Sequence, residues 1–254
     1  MSVIPWPLKP MPPHTPSGRA HGSARGGAVA SASAAPADRS GRGCAASAAA
    51  AGPDDTAAMA AALIQSRQTI LPKRLGAPGP NVAELAAILE AAAHAPDHGQ
   101  LQPWRFVLVP DTARTLLADV FALALQERDA EATPEQIEQA REKAYRSPVL
   151  LLAVVDAARG DADIDLAERL VSAGCAIQNM LLMATAQGFG SALTSGKALK
   201  AASLRALFRL GCDEQALCFV SIGTVVSRKG ARVRPGASSY VSTLDEHRGI
   251  LPGF

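Results

Sequence analysis

The chain has 254 residues and a mass of 26.2 kDa, enough for one large domain or two small ones with a self-sufficient apolar core. Lysine and arginine total 25 against 23 aspartates and glutamates; because the small excess lies within residues 1–58, the rest of the chain is neutral, which disfavours nucleic-acid binding. The four cysteines form no C-x-x-C pair, which predicts reduced thiols. No stretch is apolar enough to span a bilayer and no secretory signal is present, so we predict a cytoplasmic protein.

Residues 1–56 differ in composition from everything that follows. They are a mixture of Ala, Gly, Ser, Pro and Arg. Such a segment buries too little apolar surface to offset the entropy lost on ordering it, so we predict a disordered extension over 1–56 and one domain over 57–254. A second interpretation stays open, in which Met59 is the true start and the extension is not native protein.

Helix and strand signals alternate from Thr56 onward. The run 149–156 is continuously apolar, as is typical of a strand buried on both faces, and the nearly uncharged helix over 165–187 is predicted to be central and buried. This alternation favours a sheet covered by helices, in an α/β or α+β arrangement. Helices are predicted over about 60–66, 81–93, 111–126, 133–145, 165–187 and 200–210, strands over 105–109, 149–156 and 218–224, an extended segment near 189–195, and a polar, irregular tail after 225.

The densest polar cluster is the segment "HAPDHGQLQPWRF". His94 and His98 have the i, i+4 spacing of metal ligands on a helix, but Pro96 lies between them and breaks that helix. Three interpretations follow: a metal-dependent hydrolase on the two histidines, a loop that displays His98, Gln100 and Gln102 beside a planar ligand, or a polar loop anchored in the core by Trp104.

Two basic segments are candidate phosphate sites. Arg67 follows the first helix, and its guanidinium together with the Thr69 hydroxyl has donors suited to a phosphate. The alternative is that the positive charge of Arg67 only stabilises the negative, C-terminal end of the first helix. The tail carries a second basic cluster, Arg228, Lys229, Arg232 and Arg234. These residues either bind a phosphate or are simply exposed to solvent. Cys175, on the central helix, is interpreted as an inert packed thiol.

Four segments in order, "SRQT", "AAAHAPDHGQLQPWRFV", "SAGCAIQNMLLMATAQGFGSALTSG" and "FVSIGT", resemble the nitroreductase family, and most closely its compact YdjA-like branch, over about 59–241. The resemblance implies an α+β fold with a central, mostly antiparallel sheet flanked by helices. It implies a homodimer with FMN at the subunit interface, a C-terminal arm that crosses to the partner, and hydride transfer from NAD(P)H through flavin N5 to nitroaromatic, quinone-like or related conjugated acceptors. No titrating side chain of the protein need act as a nucleophile or base. The alternative is a flavin-binding sensor or carrier of the same fold without turnover.

The same resemblance assigns site residues by position. Four of them depart from the family pattern: Gln68 and His94 each replace an arginine, and Leu193-Thr194 replace Trp-Arg. These losses predict weaker FMN binding, and the inserted "TILPKRL" is expected to reshape the mouth of the site. The FMN contacts fall on Arg67, Gln68, Thr69, Leu193, Thr194, Ser195 and Arg228, with His94 and His98 from the other subunit, and the NAD(P)H segment falls on Met183, Ala184, Thr185, Ala186, Gln187 and Gly188.

Overall fold

The structure is a computed structural model that describes residues 52–228, 230 and 232–253. The predicted extension up to residue 51, and Lys229 of the basic tail, lie outside the described residues. The helices are α1 (Pro53–Ser66), α2 (Val82–Glu90), α3 (Arg114–Gln126), α4 (Pro134–Glu142), α5 (Leu166–Ala186) and α6 (Ala202–Leu207), and the strands are β1 (Leu75–Gly76), β2 (Trp104–Leu108), β3 (Val149–Asp156), β4 (Gly190–Thr194), β5 (Glu214–Val225), β6 (Ser242–Asp245) and β7 (Gly249–Pro252).

Local capping signals determine where several helices begin. At α2 the Asn81 side chain accepts the Glu84 N–H while the Glu84 carboxylate accepts the Asn81 N–H, and Thr133 and Gln136 form the same capping box at α4. The predicted starts of these two helices, near residues 81 and 133, are confirmed. α1 begins at Pro53, earlier than predicted, because proline at the first turn followed by two aspartates starts a helix well.

The central sheet is antiparallel throughout its strand pairs, which confirms the predicted α+β class. Its order is β1-β5-β3-β2, and β4 also pairs with β5. β3 has the predicted bounds and is buried along all but its last residue. β5 is longer than predicted because it pairs with three strands along its length.

Helices cover both faces of this sheet. On one face α5 packs through Ala176, Met180 and Ala184, as predicted for a central helix, and Trp104 is buried there with its indole N–H donated to Ser172 Oγ at 3.0 Å. The interpretation of Trp104 as a core residue is therefore confirmed. On the other face Leu117 of α3 packs against the sheet at Phe219.

The C-terminal segment departs from the prediction of an irregular tail. β6 and β7 form a hairpin whose turn at 246–248 is held by Asp245, which accepts two backbone N–H groups, and β7 begins at Gly249 with φ 75°. Leu244 and Ile250 of this hairpin are exposed. Across the described residues, no helix combines the length and the apolar character needed to cross a membrane.

Candidate functional site

The end of α1 and the C-terminal segment enclose a small cavity that we call the arginine cavity. It has a volume of about 130 Å³ and is lined by Arg67, Gln68, Thr69 and Leu71 from one side and by Gly230, Arg232 and Arg234 from the other. The first helix ends at Ser66, and Arg67 is already extended at φ −64° and ψ 120°, so residues 67–70 leave the helix as a strand-like segment. Within the described residues none of the three arginines forms an ion pair.

Residues 67–70 are held against β4. Thr69 forms a parallel bridge with Ser191, and the Ile70 N–H donates to the Ser191 carbonyl at 2.9 Å. Gly190 permits this approach, because a Cβ there would lie 3.0 Å from Ile70 Cγ1 and 2.6 Å from Val225 Cγ2. The sheet therefore brings one predicted FMN segment, residues 67–69, beside β4, the strand that leads into the other predicted segment, residues 193–195.

A larger cavity, which we call the basic cavity, lies where β4 ends. Its volume is about 480 Å³, within the range of ligand sites. Leu71 lines both this cavity and the arginine cavity, so the two adjoin. Its walls are apolar at Phe121, Leu125, Leu150, Leu199 and Phe219, hydroxylated at Thr194, Ser195 and Ser221, and cationic at Lys73, Arg128, Lys143, Arg146 and Lys197.

The sequence did not predict that these five cations of the basic cavity lie together. They come from the turn at 72–74, the end of α3, the segment after α4 and the turn at 197–200, and no local pattern joins them. The one available signal was the insertion "TILPKRL", which contains Lys73 and was expected to change the mouth of the site.

The NAD(P)H segment is divided between two surfaces. Thr185 and Gly188 line a cavity of about 30 Å³ together with Gln68 and Arg228, and Gly188 takes φ 86° where α5 ends. Met183 and Ala186 line an open groove. Ala184 is fully buried in the core, and the Gln187 Oε1 atom is buried without a hydrogen-bond partner among the described residues.

The two predicted histidines lie apart from the basic and arginine cavities in this chain. His94 lines the open groove beside Met183, and His98 Nδ1 lies 2.7 Å from Glu168 Oε2. Pro96 separates them into two short turns, and no group of three potential metal ligands occurs among the described residues. Gln100 and Gln102 both have positive φ, at 53° and 46°, so the loop that displays His98 is conformationally strained.

Leu193 lines neither of these two cavities, although its neighbours Thr194 and Ser195 line the basic one. Leu193 is 43% exposed. In the single chain it is a solvent-facing side chain on β4.

The clearest pKa shifts belong to structural groups outside the cavities. Arg105 lowers the pKa of Glu214 to about 2 through paired hydrogen bonds of 2.6 and 2.9 Å. Burial raises the pKa of Cys218 to about 11, so its thiol is protonated at neutral pH. Cys175 is half-buried on α5 and unpaired, consistent with its interpretation as a packed thiol.

Comparisons with known proteins identify one family. The model of the nitroreductase family matches residues 64–224. A Haemophilus influenzae protein named "Putative NAD(P)H nitroreductase" is 35% identical over 167 residues, which cover 65% of this chain and 88% of the relative. An Escherichia coli protein named "Putative NAD(P)H nitroreductase YdjA" is 34% identical over 155 residues, which cover 59% of this chain and 81% of the relative.

Solved structures support the same fold. A mutant of NfnB, described as an FMN- and NADPH-dependent nitroreductase from a Sphingopyxis strain, superposes with a TM-score of 0.58 at 20% identity, over 72% of this chain and 97% of the other. The predicted nitroreductase-like fold is therefore confirmed.

Proposed function

The chain belongs to the nitroreductase family, and from that premise we propose that it is an FMN-dependent oxidoreductase that uses NAD(P)H to reduce nitroaromatic, quinone-like or related conjugated acceptors. The observation that carries the proposal is the meeting of two predicted FMN segments. Residues 67–69 and Thr194-Ser195 line adjoining cavities that share Leu71. The relatives' names and the FMN-dependent structural neighbour support the same cofactor and reductant.

The chemistry of the two cavities fits FMN. The arginine cavity offers three guanidinium groups without ion-pair partners among the described residues, and guanidinium is well suited to phosphate. The basic cavity is large enough for a planar ring system, and its apolar walls would exclude water from the bound ring. In this proposal the phosphate binds at Arg67 and Thr69, and the ring system lies near Thr194 and Ser195.

One residue that departs from the family pattern has neighbours with suitable charge. Gln68 replaces an arginine, but Arg232 and Arg234 line the same cavity. Thr194 also replaces an arginine, and it lines the basic cavity with a neutral hydroxyl. Arg232 and Arg234 offset part of the expected loss, and weaker FMN binding stays a prediction to be tested by titration.

NAD(P)H is proposed to bind along the exposed part of 183–188. Thr185, Gly188 and Arg228 line one small cavity together with Gln68. Gln68 also lines the arginine cavity, where the phosphate is proposed to bind. When bound, FMN supplies two-electron transfer through its N5 atom. With a nitro acceptor the overall reaction consumes one NAD(P)H and one proton, and yields NAD(P)⁺, a nitroso group and water.

We also propose a homodimer with the site shared between subunits. No residue of α1 is buried, and Met59 and Ile64 on it are more than half exposed. The C-terminal hairpin likewise exposes Leu244 and Ile250, as expected of an arm that packs on a partner. In this arrangement His94 and His98 would come to the FMN from the other subunit, and the cytoplasmic location stays a prediction.

The test is FMN titration of the apoprotein by flavin fluorescence quenching, with Arg67→Ala compared with Lys200→Ala. Lys200 is an exposed cation that lines neither cavity. Loss of one charge-assisted contact of about 1.5–3 kcal/mol predicts a Kd raised roughly 10- to 150-fold by the first variant and unchanged by the second.

Equal affinity in both variants would refute the phosphate assignment. FMN binding without acceptor-stimulated NAD(P)H oxidation would instead favour the sensor or carrier.

A further inference from the structure

The basic cavity contains more positive charge than the proposed cofactor requires. Among the described residues that line it, five are Lys or Arg and none is Asp or Glu. Within the described residues none of the five forms an ion pair. Glu127, Asp129 and Glu142 neighbour these cations along the chain but do not line the cavity.

FMN does not account for this charge. Its phosphate has a separate proposed site among Arg67, Arg232 and Arg234, and its ring system carries no charge when oxidised. A concave site lined by charges of one sign concentrates ligands of the opposite sign. The cations around Arg128 and Lys197 therefore indicate a second, anionic ligand.

The wall between the cations indicates the rest of that ligand. Phe121, Leu150 and Phe219 form an apolar surface in the same cavity, and Phe121 and Phe219 pack edge to face with ring centroids 5.5 Å apart. Apolar walls with a few placed polar groups bind a ring and orient its substituents. Arginine binds carboxylates through paired hydrogen bonds.

We propose that the preferred electron acceptor is an aromatic or conjugated compound that carries a carboxylate, held by the cations of the basic cavity. The inference rests on the proposed function and specifies its acceptor class. The carboxylate contacts Arg128, Lys143 and Lys197, while the reducible group faces the bound flavin.

The experiment compares 4-nitrobenzoate with its neutral methyl ester. The ester group withdraws electrons more strongly than the carboxylate, so intrinsic reactivity alone favours the ester. For the FMN-loaded wild type we expect kcat/KM to be higher for the acid at low ionic strength, with a preference that falls as salt is added. In an Arg128→Gln/Lys197→Gln double variant the acid-to-ester ratio should fall roughly tenfold.

Lys200→Gln is the matched control. Lys200 lies in the same short turn as Lys197 but does not line the cavity, so the ratio should stay at the wild-type value. The ratio of kcat/KM for NADPH to that for NADH is measured in parallel. A fall in that ratio in the double variant, with the acid-to-ester ratio unchanged, would assign the cations to the 2′-phosphate of NADPH and overturn the proposal.

The outcomes separate this inference from the proposed function. Turnover of both compounds without preference for the acid overturns the inference and leaves the oxidoreductase intact. If neither compound is turned over, isothermal titration calorimetry with the same two compounds decides. Tighter binding of the acid, lost in the double variant, supports the anion site while the proposed function fails, and equal or absent binding overturns the inference.

Discussion

Neutralising Glu214 should destabilise the protein in a pH-dependent way. Glu214 opens β5, and its two carboxylate oxygens accept hydrogen bonds from Arg105 of β2 and from the Gly211 N–H. The side chain is 17% exposed, and its pKa falls from the ordinary 4.5 to about 2, chiefly because of the Arg105 hydrogen bonds. We therefore expect Glu214→Gln to weaken the link between β2 and the start of β5.

The size of the effect follows from linkage. A pKa lowered from 4.5 to about 2 corresponds to roughly 3 kcal/mol of stability at neutral pH. Because Arg105 is 41% exposed, solvent screening reduces the expected loss in Glu214→Gln to about 1–2 kcal/mol. The carboxylate contribution is fully present above about pH 5 and is lost as the pH falls towards 2, since the folded-state pKa is the lower one.

The assay is urea unfolding followed by circular dichroism at pH 7, 5 and 3. We expect a lower free energy of unfolding for Glu214→Gln at pH 7 and a difference from wild type that shrinks by pH 3. Glu138→Gln, at an exposed position on α4, is the control and should match wild type throughout. An equal loss at pH 7 and pH 3 would refute the electrostatic explanation, because packing alone does not titrate.

Three further predictions concern stability and the shared site. Arg169→Leu should lower the free energy of unfolding by at least about 3 kcal/mol in urea titrations, because the buried guanidinium donates to four backbone carbonyls that would lose their donor, and a loss below about 1 kcal/mol would contradict this role. Arg67→Ala and His98→Ala, each expected to be inactive alone, should partly recover NAD(P)H oxidation when mixed as heterodimers, and no recovery would place a complete site in each subunit. Thr69→Ala should raise the FMN Kd in fluorescence titrations while the circular dichroism spectrum stays unchanged, and an unchanged Kd would remove Thr69 from the phosphate site.

The features that could be predicted from sequence are those encoded within a few neighbouring residues. The capping boxes at Asn81 and Thr133 depend on side chains three residues apart, and the apolar run of β3 is continuous. Motif order along the chain also predicted that Arg67 and Thr194 share a site. The two residues line cavities that both include Leu71, and their contact with FMN stays a prediction.

The features that escaped prediction depend on contacts between distant segments. The basic cavity takes cations from four places in the chain, and only the fold brings Lys73 near Lys143 and Lys197. The C-terminal hairpin was missed because its strands are short and exposed, and Leu244 and Ile250 alone do not distinguish a hairpin from a polar tail.

We propose above that this chain binds FMN and uses it to pass electrons from NAD(P)H to an acceptor. The most direct measurement is the visible absorption spectrum of the purified protein after addition of FMN and desalting. We expect a retained flavin spectrum that NAD(P)H bleaches and that a quinone or nitroaromatic restores. A colourless protein after desalting, with no FMN binding in titration, would contradict it.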